Sequence, residues 1–120
     1  MANYEAEGAV LEKARETENE TLRRLTELLA RAAKPKYIIL FGSQARGEGS
    51  EDSDFDVMVV EPEVANRGEE MVRLGRLVRS LDIAVDLLVV SAAKFEYWRD
   101  TPGNVYFEAA SEGKILYEAA

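Results

Sequence analysis

Three acidic side chains are the residues of this chain best placed to do chemistry. Asp54 and Asp56 stand one residue apart at the head of an apolar run, Asp54-Phe-Asp-Val-Met-Val-Val60. The run predicts a β-strand. Strand side chains alternate, so both carboxylates are expected on one face, with Phe55, Val57 and Val59 on the other. Two carboxylates side by side repel each other unless a cation neutralises them. Mg²⁺ does this with one or two carboxylates plus the phosphate oxygens of a substrate. Asp86 interrupts a second apolar run, Ile83-Ala-Val-Asp-Leu-Leu-Val-Val90. A lone charge buried there would be costly. If this strand lies beside the first, Asp86 completes a three-carboxylate site. Such a site can hold two metal ions about 3.5–4 Å apart, the arrangement used for in-line phosphoryl and nucleotidyl transfer.

Gly42-Ser43 sits upstream, where the apolar run Tyr37-Ile-Ile-Leu-Phe41 feeds a short helical turn. Backbone N–H groups at such a turn favour anions, Gly lets the backbone approach a phosphate, and Ser43 adds a hydroxyl. Arg46, one turn further on, could grip a phosphate. Carboxylates on one side and an anion-binding turn on the other suit a triphosphate with its metal.

Composition narrows the alternatives. The chain has 120 residues, the size of one domain. It has no His and no Cys, which excludes a Ser-His-Asp triad, a Cys nucleophile, a disulfide framework and a zinc thiolate site. Its net charge of −8 argues against a generalised basic surface for nucleic acid. Met1 to Gly8 lack an apolar core, and the apolar runs are too short to span a bilayer, so a cytoplasmic location away from membranes is expected.

The elements that must position these residues follow from pattern. Residues 1–34 predict one long helix, with Leu22, Leu25 and Leu29 at helical spacing, i,i+4 pairs Glu20–Arg24 and Glu27–Arg31, and Pro35 as its stop. Strands are expected at 37–41, 54–60 and 83–90. Between the last two, Asn66 caps a helix whose apolar stripe is Met71, Leu74, Leu77, Val78 and Leu81. Ser91 caps a short helix that carries Phe95 and Trp98 toward the core. Pro102-Gly103 breaks it, another turn or two of helix covers 104–111, and Lys114-Ile-Leu-Tyr117 reads as an edge strand. The fold class is α/β (α+β), a small three- to four-stranded mixed sheet flanked by helices. The division is an N-terminal helix over 1–34, a core over 37–90, and C-terminal helices with a short strand over 91–120, all in one domain.

Gly42-Ser43, ten residues and then Asp54-Phe55-Asp56 resembles the signature of the polymerase-beta-like nucleotidyltransferase superfamily. Phe41-Gly-Ser-Gln-Ala-Arg-Gly47 and Ser53-Asp-Phe-Asp-Val57 resemble its minimal, single-domain branch, which includes the MNT-type antitoxins encoded beside HEPN-domain toxins. The resemblance implies that Asp54, Asp56 and Asp86 are catalytic metal ligands, with Asp86 also a candidate base. It implies that Gly42 and Ser43 hold the β- and γ-phosphates and that Arg46 assists. It further implies Mg²⁺, two ions, with ATP as substrate, AMP as the transferred group and a tyrosine of a HEPN-type toxin as acceptor. Larger relatives carry an extra helical domain for base or acceptor. This chain has no room for one, so a partner is expected to supply part of the site in a joint assembly.

Two other classes of function compete. One is an antitoxin that neutralises a partner by binding alone; the other is a transferase for a small-molecule acceptor. Arg67, Arg73, Arg76 and Arg79 mark a helix face that is either solvated or docks an acidic partner.

Overall fold

In the computed structural model, which describes residues 20–49 and 54–120, the apolar runs become the strands of one sheet. β1 (Tyr37–Phe41), β2 (Phe55–Glu61), β3 (Val85–Ser91) and β4 (Lys114–Glu118) lie in the order β3-β2-β1-β4. β1 runs antiparallel to β2 and to β4, whereas β2 and β3 are parallel. Parallel neighbours need a crossover, and α3 (Arg67–Arg79) provides it. Each inner strand carries an unbroken apolar stretch because both of its faces are covered there: Ile38 to Leu40 and Val57 to Val60 are buried. The other helices are α1, which occupies 20–33 of the described residues, α2 (Gly42–Ala45), α4 (Ala92–Trp98) and α5 (Val105–Glu112). This is a mixed four-stranded sheet flanked by helices, an α+β architecture, as the patterning predicts.

Each sheet face has its own core. On one, Leu25 and Leu29 of α1 and Leu74 and Val78 of α3 pack on Ile38, Leu40, Val57, Val59, Leu87 and Val89. On the other, Phe95 of α4 and Ala109 of α5 pack on Ile39, Met58, Val60 and Val90. Each fully buried Leu or Phe contributes about 1.5–3 kcal/mol of burial. Asp56 has the parity of Met58 and Val60, so alternation sends it to the α4/α5 side.

The helix starts follow capping chemistry. The side chains of Asn66, Ser91 and Asn104 accept from the backbone N–H groups of Glu69, Lys94 and Phe107. α1 stops where Lys34 turns left-handed, at φ 47°, ahead of Pro35.

Some details depart from expectation. Residues 1–19, where the sequence predicts the start of the long N-terminal helix, lie outside the described residues, as do 50–53. Neither expected i,i+4 pair forms as such. Arg23 instead donates to both Glu20 and Glu27, because one guanidinium fork reaches i−3 and i+4 together. β3 begins at Val85, two residues later than Ile83. Leu77 is 38% and Trp98 40% exposed, so neither is core. Trp98 instead packs edge-on against Tyr97, with ring centroids 4.9 Å apart. No helix among the described residues is long and apolar enough to cross a membrane.

One buried acid tests this packing. Glu61 ends β2 only 5% exposed, and its Oε2 has no hydrogen-bond partner among the described residues. Burial, helped by a hydrogen bond to Glu70, pushes its carboxyl up to about 8, against the opposing pull of Arg73. Arg73 itself donates to Glu70 and to the carbonyl of Ala32 at the end of α1. Unfolded, Glu61 titrates near 4.5. Between the two values the folded chain keeps a proton that the unfolded chain has lost. This contribution therefore falls as pH rises, by no more than about 1.4 kcal/mol per pH unit. Glu61→Gln keeps a donor for Glu70 and removes the titration. Denaturant unfolding from about pH 5 to about pH 8 should show the variant gaining on wild type as pH rises. A difference independent of pH would refute the account.

Candidate active site

The end of the sheet where β1 finishes and β2 and β3 begin brings the candidate residues together. The parallel register of β2 and β3 sets Asp56 directly beside Asp86. Asp54 lies one residue before β2 and is exposed. On the other side of β2, the antiparallel register pairs Asp56 with Phe41, so the chain leaves β1 and enters α2 over the same spot. Gly42 makes that turn with φ 72°, in the left-handed region. It packs so closely that a Cβ placed there would overlap Oδ2 of Asp56. Ser43 follows as the second residue of α2, and its carbonyl accepts from the N–H groups of Glu48 and Gly49, which folds the next loop back on the turn.

Asp86 differs from its expectation in one respect. The apolar run around it suggested a buried charge. The strand order makes β3 an edge strand, and Asp86 is exposed. A carboxylate at an exposed edge is open to an incoming substrate.

The electrostatics are those of crowded acids. Partial burial pushes the carboxyl of Asp56 above its ordinary value, and the charges of Asp86, Asp54 and Glu108 push it further, with Arg46 opposing them. A cation would relieve that repulsion. The donors are carboxylate oxygens, the ligands that a hard ion such as Mg²⁺ takes. Among the described residues no three acids converge as a ready-made cage. An ion here would therefore complete its shell with phosphate oxygens and water, which is the habit of Mg²⁺.

Arg46 caps the C-terminus of α2 but does not reach freely into the site. Its Nη1 donates to Glu108 at 2.8 Å and lies 3.6 Å from Glu112, and its Nε donates to Glu48 at 3.1 Å. The bonds to Glu48 and Glu108 raise its pKa and keep it charged. Glu108 and Glu112 were missed by sequence reasoning. They belong to α5, which the burial of Ala109 brings over the sheet. The spacing of α5 marks Ala109 as inward but carries no signal that its neighbour faces α2.

The family model described as "Nucleotidyltransferase domain" matches residues 22–116, nearly the whole described chain. The chain belongs to the nucleotidyltransferase domain family. It is accordingly a transferase. A protein of Methanocaldococcus jannaschii named "Putative protein adenylyltransferase MJ1379" is 39% identical over 100 residues, which is 82% of this chain and 91% of that one. A Sulfolobus solfataricus protein, whose crystal structure is described as that of "a putative nucleotidyltransferase", superposes with a TM-score of 0.61 at 20% identity, over 88% of this chain and 86% of that one. A chain of a toxin–antitoxin complex crystallised with AMP-PNP superposes with a TM-score of 0.56 at 24% identity, over 81% of this nucleotidyltransferase and 73% of that chain. These two structural likenesses establish the shared fold.

Proposed function

We propose that this nucleotidyltransferase transfers AMP from ATP to a hydroxyl of a partner protein, a tyrosine of a HEPN-type toxin, and so acts as its antitoxin. The observation that carries the reading is the pairing of Asp56 with Asp86 under the Gly42 turn. Support comes from the M. jannaschii relative, whose name is that of a protein adenylyltransferase, and from the structural neighbour, a toxin–antitoxin complex with an ATP analogue.

Asp54 and Asp56 would hold Mg²⁺, with Asp86 as a further ligand where two ions bind, and the metal would supply charge neutralisation at the phosphates. The chain's own residues do the rest. Gly42 and Ser43 hold the β- and γ-phosphates, Gly42 through close backbone approach and Ser43 through its hydroxyl. Arg46 reaches a phosphate by exchanging its bonds to Glu48 and Glu108 for bonds to phosphate oxygen. Asp86, exposed at the sheet edge, takes the proton of the acceptor hydroxyl. The freed oxygen bonds to the α-phosphorus, the bond from that phosphorus to the bridging oxygen breaks, and pyrophosphate leaves with the electron pair.

The test is the intact mass of a HEPN-type partner after incubation with this protein, Mg²⁺ and ATP. A gain of AMP units is expected, and Asp54→Asn should remove it. A stable complex with no gain would mean neutralisation by binding alone. Neither gain nor complex would point to a small-molecule acceptor.

A further inference from the structure

α3 does not spend its whole surface on the core. Leu74 and Val78 face inward, but Val72 is 54% and Leu77 38% exposed. Gly68, Val72, Gly75 and Arg79 stand at i, i+4, i+7 and i+11, which makes one outward stripe of the helix. A Cβ at Gly75 would meet nothing within 4 Å. Beside this stripe runs β3, an edge strand with no neighbour on that side among the described residues. Two adjoining hollows, of about 440 and 690 Å³, share Val72 and Arg76 as common walls, and Val85 and Leu87 of β3 floor the first of them.

We propose that this groove docks an amphipathic helix of the partner protein, apolar on its inner side and acidic along its flanks. The fit is one of shape and charge. The low wall at Gly68 and Gly75 lets a second helix approach closely, and Val72 and Leu77 offer it apolar contact. Arg76 and Arg79 line the groove, both exposed, and neither forms an ion pair with a described residue; Glu69 is the one acid on its wall. Arg73 also lines the second hollow, but its guanidinium is already held by Glu70 and the carbonyl of Ala32. In a chain of net charge −8, a local surplus of free arginines is complementary to an acidic partner. A second copy is less complementary, since a two-fold contact would gather Arg76 and Arg79 of both copies into one interface.

The position joins the groove to the chemistry. Val85 and Leu87 line it, and Asp86 between them projects from the opposite face of the same edge strand. A helix seated here lies one strand's thickness from the carboxylates. The inference rests on the reading above in taking the partner to be the acceptor protein.

Calorimetric titration of the HEPN-type partner tests it. Arg76→Glu with Arg79→Glu should weaken the complex at least tenfold. Gly75→Gln should do the same, although it fills only the groove and should leave the helix at least as stable. ATP affinity should be unchanged in both. Wild-type affinity in both variants would overturn the proposal, and so would the absence of any complex. A wild-type dimer that Gly75→Gln dissolves would also overturn it and assign the groove to a second copy. Transfer is read separately, by partner mass. Weakened docking with no AMP gain by wild type keeps the groove and removes the transferase reading. Undiminished transfer and binding in both variants does the reverse.

Discussion

Asp56→Asn should abolish nucleotidyl transfer and at the same time raise the melting temperature of the metal-free protein. Both effects have one cause. Asp56 sits beside Asp86 in the β2–β3 register, partly buried, and the negative charges around it push its carboxyl up. In the metal-free protein that charge is a liability. Asn has nearly the same shape, keeps a side-chain oxygen and removes the repulsion, so folding gains. For transfer the same charge is the asset, because it is what a hard cation binds. Losing it should cost about 10³-fold in turnover, equivalent to about 4 kcal/mol of transition-state stabilisation. Single-turnover transfer and thermal melts of the same preparation check the pair. Turnover within a factor of a few of wild type would end the assignment of Asp56 as a ligand. Lost turnover with a lowered melting temperature would mean that Asp56 is structural. Stability and activity pulling in opposite directions at one residue is the expected mark of a functional site.

The residues of this site were legible to different degrees, for physical reasons. Local pattern marks β1, β2 and the Gly42 turn, because each inner strand carries an unbroken apolar stretch and a glycine at a strand end stands out against it. Caps at Asn66 and Ser91 are equally local, since one side chain bonds a backbone three residues on. The neighbourhood of Asp56 and Asp86 is not local. It depends on β3 returning parallel to β2 across α3, which the sequence offers only as a condition. Strand order also decides exposure: the same apolar run would bury Asp86 in an inner strand and exposes it at an edge. The clamp on Arg46 is the least legible feature. Arg46 and Glu108 are 62 residues apart, and an exposed glutamate on a short helix looks like any solvated acid until α5 is docked. The expected burial of Trp98 alongside Phe95 fails for a related reason. α4 has seven residues and one buried position, which Phe95 takes, so Trp98 and Tyr97 are left outside.

Gly42→Val should remove triphosphate binding while leaving most of the molecule folded. Two separate constraints act on this residue. Its φ of 72° is one that an L-residue adopts at a cost of about 1–2 kcal/mol, and a β-branched side chain fares worse. The second constraint is the overlap between any Cβ at this position and the Asp56 carboxylate. What stands in the way is the tip of a side chain, not backbone, so the structure can yield by swinging Asp56 aside. The sheet therefore survives, because the register of β1, β2 and β3 does not depend on where that carboxylate points. The site does not survive, because the turn loses its close approach to phosphate and Asp56 leaves the position beside Asp86. Gly42→Ala isolates the smaller half of the effect: it has the same overlap with Asp56 but no branched side chain to force the turn further. Titration of ATP with Mg²⁺ should show affinity falling from wild type to Gly42→Ala to Gly42→Val, with the circular dichroism of all three alike. Unchanged affinity in Gly42→Val would remove the turn from the phosphate site. Equal losses in binding and in circular dichroism would make Gly42 a folding residue only.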